Sequence, residues 1–296
     1  MRILLQRISG RKNIGLMLFV LPALTFLTTF IAYPFVRGVV YAFTDWSMLR
    51  PDYRFIGFDN FTSMFKDEYF VQSIKFTLKY AVLAVVFQNV GAIILAFILD
   101  RVIMFKSFLR GVFFLPHVLA QVVVAFAWNF VFTKGFEGMY KIVKLPFLNW
   151  SWFGDPDRAF LAIMITAQWV FMGYLMVIYI AGLQNIDGNY LEASLIDGAS
   201  WFQQIIHIKL PLLMPSIVIG VFTVTMFSIK QFDISFVLTR GGPYRSTETI
   251  AVNVYNQAYD AYKNGLACAQ AIFLLLLVLT ITFIEVRFLK KKEVEV

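Results

Sequence analysis

Tyr190-Leu191-Glu192-Ala193-Ser194-Leu195-Ile196-Asp197-Gly198-Ala199-Ser200, closed by Leu210-Pro211-Leu212-Leu213-Met214-Pro215, is a polar interruption between two long apolar runs. Asn189 followed three residues later by Glu192 has the form of a capping box, in which each side chain satisfies a backbone amide at a helix start. The helix expected there carries Leu191 and Leu195 on one face, and Gly198 stands where it can end in the left-handed conformation that glycine adopts cheaply. A second box, Ser200 with Gln203, opens another helix bearing Phe202, Ile205, Ile206 and Lys209. Pro211 and Pro215 mark its limit and the start of the next apolar run. Two short capped helices around a glycine corner predict a rigid, protruding knob.

The rest of the chain says what the knob protrudes from. With 59% hydrophobic and 15% charged residues and a mean hydropathy of +0.72, the composition lies outside that of soluble domains. Six apolar segments, 14–36, 77–99, 109–132, 159–182, 213–238 and 267–289, are each long enough to cross a hydrocarbon core of about 30 Å as a helix. The expected fold class is therefore an all-α membrane protein of about six transmembrane helices. An even number of spans places both termini on one side. Arg2, Arg7, Arg11 and Lys12 at the front and Arg287, Lys290, Lys291 and Lys292 at the back make that side cytoplasmic, and Arg101, Lys106 and Arg110 between the second and third spans agree. The knob then faces the cytoplasm too. The first apolar segment is longer than a signal-peptide core and lacks a small-residue cleavage site, so it reads as a retained helix. The net charge of +8 is explained by topology-setting ends and anionic lipid headgroups, without nucleic acid as a partner. The single cysteine, Cys268, excludes an intrachain disulfide and reads as a small packing residue.

The knob carries a family resemblance. Glu192-Ala193-Ser194, Asp197-Gly198-Ala199, a hydrophobic-rich spacer and Leu210-Pro211 resemble the EAA loop of ABC importer permeases, the element that sits in a cleft of the ATPase subunit; Ser194 stands where the motif usually has alanine. Phe55-Ile56-Gly57-Phe58-Asp59-Asn60-Phe61 is similar to a phrase in the first outward loop of the carbohydrate branch of these permeases. Leu115-Pro116-His117, Gly154-Asp155-Pro156, Asp233, Leu238-Thr239-Arg240-Gly241-Gly242-Pro243 and Thr247-Glu248-Thr249 resemble that branch as well, the Gly-Gly-Pro turn being similar to the first of its two paired subunits. The resemblance implies a type I ABC importer permease fold with a cytoplasmic segment 1–13, a transmembrane domain 14–289 holding the coupling loop 189–210, and a cytoplasmic tail 290–296. It also implies a bacterial or archaeal cytoplasmic membrane, a second homologous permease, two ATPase subunits and an extracytoplasmic solute-binding protein. In the loop it assigns ATPase coupling to Glu192, Ala193, Asp197, Gly198, Ala199, Leu210 and Pro211.

Chemistry by the chain itself is not expected. No glycine-rich run leads into Gly-Lys-Ser or Gly-Lys-Thr, so ATP and Mg belong to the partner ATPase and this chain binds no cofactor. His117 and His207 lie apart, with no cysteine or carboxylate at metal-ligand spacing. What remains is a path for solute. Sugars present hydroxyls for hydrogen bonds and C–H faces for aromatic contact, so a sugar site needs both kinds of side chain. Ser228 and Gln231 are three apart, Gln168, Phe171 and Tyr174 follow at intervals of three, and His117 and Gln121 are four apart; each set can share a helix face. The same residues can equally make helix–helix hydrogen bonds. Lys230 within the fifth apolar segment would cost about 2.5–3.5 kcal/mol on insertion scales, so it needs a compensating environment. Either an ion pair with Asp233, three residues on, or a direct role in solute passage supplies one. Trp128 and Trp169 read as packing or interface residues.

The resemblance thus implies the permease subunit of an ATP-driven, binding-protein-dependent importer of a carbohydrate. A permease for another solute, such as an amino acid, a polyamine or a phosphorylated glycerol, shares the knob. A stand-alone secondary transporter would need inverted repeats and membrane carboxylates, and the sequence shows neither repeats nor more than sparse carboxylates in its spans.

Overall fold

The computed structural model describes residues 12–101 and 105–289. Arg2, Arg7, Arg11, Lys290, Lys291 and Lys292, on which the expected orientation rests, lie outside the described residues, as does the tail 290–296.

Helix α1 (Lys12–Leu27) passes through a π-helical turn, Thr28–Ala32, into α2 (Tyr33–Ala42), and a short α3 (Asp59–Met64) precedes the long α4 (Glu68–Arg101). Then come α5 (Lys106–Val118), α6 (Gln121–Phe130), a π-turn Val131–Gly135 and α7 (Phe136–Val143). The second long helix, α8 (Pro156–Gln184), is followed by α9 (Gly188–Ile196), α10 (Trp201–Gln204), a π-turn Ile205–Lys209, α11 (Leu210–Leu212) and α12 (Met214–Ile229). Helices α13 (Asp233–Thr239), α14 (Ile250–Tyr255) and α15 (Asn264–Leu289) complete the order. Among the described residues the only β-type pairing is an isolated antiparallel bridge, Thr44 with Phe55.

Among the described residues four helices, Leu18–Ala42, Glu68–Arg101, Pro156–Gln184 and Asn264–Phe288, are long and apolar enough to cross a membrane. Two further candidates are bent pairs: Lys106–Val118 with Gln121–Val143 at 98°, which covers the expected third span, and Trp201–Leu212 with Met214–Ile229 at 67°, in which the knob's second helix leads into the first part of the expected fifth span. The segment 109–132 is therefore not one helix. Leu119 and Ala120 are extended, with ψ of 147° and 130°, just after Pro116 has removed an amide from the helical ladder. The segment 213–238 is likewise two helices, because α12 stops at Ile229 and α13 begins at Asp233. Apolar composition counts spans but is blind to these breaks, since hydropathy averaged over a whole segment is unaffected by the backbone angles of one or two residues such as Leu119 and Ala120.

The described residues form two compact units, one holding those up to Met64 with Gln257–Ile272, the other holding those from Phe65 to Asn256 and from Phe273 onward. In the first, the Asn60 side chain is buried and donates to the carbonyls of Ala42 at 2.9 Å and Thr44 at 2.8 Å. Asn264 Oδ1 accepts from the Met48 amide at 2.8 Å. Phe43 gathers Phe55, Phe58 and Phe61 around it. The Asp-Asn-Phe phrase is thus a clamp on the turn after α2, with Gly57 at φ +60° making the corner before it.

In the second unit α4 packs along α8 and α12, with Ala84, Ala92, Ala96 and Ala167 fully buried at the contact. Small residues let helix backbones approach closely where lipid offers no hydrophobic driving force. Tyr179 donates to Asn89 Oδ1 between α8 and α4, and Gly220 of α12 sits against both side chains. Helix α8 begins as a cap should: Asp155 accepts from the amides of Asp157 and Arg158 at 3.1 and 3.0 Å, and Pro156 takes the first helical position.

The Gly-Gly-Pro and Thr-Glu-Thr phrases fold onto one another in the loop after α13. Thr239 and Thr247 hydroxyls meet at 2.8 Å, and Glu248, 1% exposed, receives the Arg245 guanidinium, Asn253 at 2.9 Å and Asn256 at 3.2 Å. The hydrogen bond to Glu248 raises the Arg245 pKa above the ordinary arginine value. Arg245→Met leaves this carboxylate with amide donors alone. The expected loss is about 1–3 kcal/mol, held down by the solvent that reaches the arginine, and it reads as a lower melting temperature of the purified protein.

Candidate functional site: the knob and the aromatic path

The knob exists, and its corner is built as the glycine predicts. Gly198 has φ +78°, its amide donates to Leu195 O at 3.1 Å, and the Ala199 amide reaches back to Ser194 O at 2.9 Å. This pair of bonds is a complete Schellman closure of α9. The second box is also present, with the Ser200 amide bonded to Gln203 Oε1 at 2.7 Å and the Gln203 amide to Ser200 Oγ at 3.4 Å. The first box is not. Asp187 is the N-cap, accepting from the Asn189 amide at 3.0 Å, and α9 opens at Gly188. Asn189 already lies inside the first turn, so Glu192 has no amide to return to and its side chain is exposed.

Ser194 explains its departure from alanine. Its hydroxyl donates to Leu191 O at 2.7 Å and accepts from Gln204 Nε2 at 2.9 Å, with both side chains buried. The serine stitches the knob's two helices together, which an alanine could not do. On the outside, Ile196 is 86% exposed and Leu195 and Phe202 64% each, beside exposed Tyr190 and Ile206. Glu192, Ala193, Asp197 and Gly198 are exposed around this ridge, Ala199 is half-buried and Pro211 is exposed beyond it. A rigid apolar ridge ringed by polar groups is the form of a protein-docking surface. Leu210 instead turns inward and packs against the core with Ile205.

The expected path residues are partly brought together. His117 stacks on Tyr174 at 4.3 Å between ring centres and meets Phe171 edge-on at 5.5 Å; Phe171 in turn touches Phe227 at 5.3 Å. Gln168, Phe171 and Tyr174 share the unbroken α8 as their spacing predicts. Gln168 Nε2 donates to Phe87 O at 3.1 Å, while its Oε1 is buried without a partner. Gln121 does not share a helix face with His117, because the break at Leu119–Ala120 lies between them and Gln121 opens α6. Ser228 and Gln231, each 4% exposed, do not share one either. Helix α12 ends at Ile229, and Gln231 lies beyond it in a turn whose amide bonds Ser228 O at 3.3 Å. Gln231 Nε2 and His117 Nδ1 are also buried without partners.

Lys230 and Asp233 form no ion pair among the described residues. The helix ends between them, so the three-residue spacing no longer places them on one face. Lys230, exposed, caps the C-terminus of α12, and Asp233 sits in the first turn of α13, so each charge faces the complementary end of a helix dipole. Trp128 and Trp169 meet edge-to-face at 5.8 Å. Spacing rules missed Gln88, 1% exposed with Oε1 unpartnered, and Asn89. Their signal was available: two adjacent amides in the middle of an apolar run are costly in lipid and mark interior positions.

Comparison with known proteins agrees with this architecture. Residues 69–293 match the family model described as binding-protein-dependent transport system inner membrane component. The chain is 34% identical to a probable starch degradation products transport system permease protein, AmyD, of Thermoanaerobacterium thermosulfurigenes, over 96% of this chain and 97% of that one. It is 31% identical to the multiple sugar-binding transport system permease protein MsmF of Streptococcus mutans, over 93% and 95%. Its fold matches a chain in the crystal structure of a bacterial ABC transporter involved in the import of the acidic polysaccharide alginate, with a TM-score of 0.83, 22% identity and coverage of 95% and 96%. The fold is thus the ABC importer permease fold that the knob implied, and the chain belongs to the family of binding-protein-dependent transport system inner membrane components.

Proposed function

We propose that this chain is one of two permease subunits of an ATP-driven importer for an oligosaccharide or related carbohydrate, with its knob and both termini in the cytoplasm. The observation that carries the coupling half is the Schellman-closed, serine-stitched knob with its apolar ridge. Glu192, Ala193, Asp197, Gly198, Ala199, Leu210 and Pro211 form or support the surface that an ATPase subunit grips. ATP and Mg are bound there by the ATPase and not by this chain. A second, similar permease completes the path, and an extracytoplasmic binding protein loads it.

The solute side rests on the aromatic group His117, Phe171, Tyr174 and Phe227, with unpartnered buried polar atoms on His117, Gln168 and Gln231. Rings for sugar C–H faces and free donors and acceptors for hydroxyls are the two requirements of a carbohydrate path. The names of the relatives in starch-product and multiple-sugar transport favour the same class. Gln121, Ser228 and Lys230 flank this group at the two helix breaks.

Reconstitution in vesicles with its ATPase, second permease and binding protein tests the reading, with ATP hydrolysis measured for maltotetraose, raffinose, glycerol 3-phosphate and glutamine. Stimulation by an oligosaccharide is expected. In Gln231→Leu and Ser228→Ala the half-saturating sugar concentration should rise about five- to tenfold, the effect of one lost hydrogen bond each. Stimulation by glycerol 3-phosphate or glutamine alone would overturn the carbohydrate reading and keep the importer.

A further inference from the structure

The knob is joined to α4 as well as to the two spans that flank it in sequence. Asp100, at the end of α4, shares its carboxylate between two lysines: Oδ1 lies 3.4 Å from Lys106 Nζ at the start of α5, and Oδ2 lies 3.5 Å from Lys209 Nζ in the knob. One residue on, the Arg101 guanidinium lies over the Trp201 ring at 3.9 Å from its centre. Trp201 is the first residue of the knob's second helix and Lys209 ends the π-turn that follows it. α4 therefore grips this segment at both ends. The lysine and aspartate side chains are 14% and 26% exposed, so solvent screens the pair less than an ordinary surface ion pair.

Helix α4 also reaches the solute path. Phe87 O accepts from Gln168, and Asn89 accepts from Tyr179 where Gly220 packs. Phe87 and Asp100 are thirteen residues apart on one unbroken helix, about 20 Å at 1.5 Å per residue.

We propose that Asp100 and Arg101 are positioning residues that transmit movement of the knob into α4, making α4 the lever between the ATPase-facing knob and the Gln168–Asn89 level of the path. This rests on the importer reading above. A knob that is internally rigid moves as one body, and a two-point grip passes on both its displacement and its rotation. A single contact would let the helix pivot.

The assembled importer tests it. In a Cys268→Ser background, spin labels at Val90→Cys on α4 and Phe283→Cys on α15 report their separation without nucleotide and after trapping with ATP and vanadate. The unmodified joint is expected to give a shift of about 2 Å or more, the scale of helix movements in switching proteins. Asp100→Asn should reduce the shift to less than half, and Asp100→Asn with Arg101→Gln should abolish it, while the ATPase subunits stay bound and hydrolyse ATP at the basal rate. Asp100→Glu should restore it, and adding Lys209→Met to Asp100→Asn should change nothing further, the signature of one shared interaction. A full shift in the double variant, or no shift with the joint intact, overturns the lever. Failure of the unmodified chain to retain any ATPase overturns the importer reading and the lever with it, a result distinct from a lost joint.

Discussion

Gly198→Trp is expected to leave the chain inserted in the membrane at normal abundance and to lower ATP-coupled uptake by at least about tenfold, the equivalent of some 1.4 kcal/mol in a driving equilibrium. The argument has two parts. At φ +78° any side chain strains the backbone, by about 1–2 kcal/mol for an ordinary L-residue, and the strain falls on the two hydrogen bonds that close α9. A β-carbon at Gly198 meets no atom of this chain within 4 Å, so a large ring there projects outward into the space a docked ATPase would take. Gly198→Asn separates the two, since asparagine tolerates the left-handed region and is small. It should keep most of the uptake. Normal uptake by the tryptophan variant would remove the knob from the coupling mechanism.

Gly173→Val should have the largest effect on stability. A β-carbon at Gly173 would fall inside the Phe113 carbonyl oxygen, and that neighbour is backbone, which no change of rotamer can move aside. Gly182 and Gly220 are also crowded, but chiefly by the ends of side chains, Ser216 and Leu213 in one case and Tyr179 and Asn89 in the other. The valine must push α5 off α8, a change of the overpacking kind that costs about 3 kcal/mol at its upper end. The expected fall in melting temperature is about 5 °C for a chain of this size. His117 is one helical turn beyond Phe113, so its stack on Tyr174 should open and sugar affinity should fall together with stability. A melting temperature equal to that of the parent protein would mean that α5 does not pack as described.

Both predictions turn on glycines, yet they were not equally legible. Gly198 announces itself, because it follows a leucine-bearing helix and precedes Ser200, so the corner is a local matter of hydrogen bonds within five residues. Gly173 looks like any glycine in an apolar run, and its partner is sixty residues away. The same division holds for the caps. Ser200 with Gln203 was readable and correct, whereas Asn189 with Glu192 matched the pattern and lost to Asp187, whose carboxylate reached the free amide first. Composition supplied the spans but not the breaks at Leu119–Ala120 and after Ile229, and those breaks undid the pairing of His117 with Gln121 and of Lys230 with Asp233.

By itself the sequence determined a membrane protein with a capped, glycine-cornered knob, because solvation by lipid and helix capping act on neighbours within a turn or two. Tertiary structure alone decided what the knob is tied to and which polar groups meet inside the helix bundle. The Asp100–Lys209 contact spans more than a hundred residues, and Asn89 met Tyr179, as His117 met Tyr174, only when helices had packed through their small residues. Such contacts leave no periodic trace in the chain, because each depends on the crossing of two helices and not on the register of either.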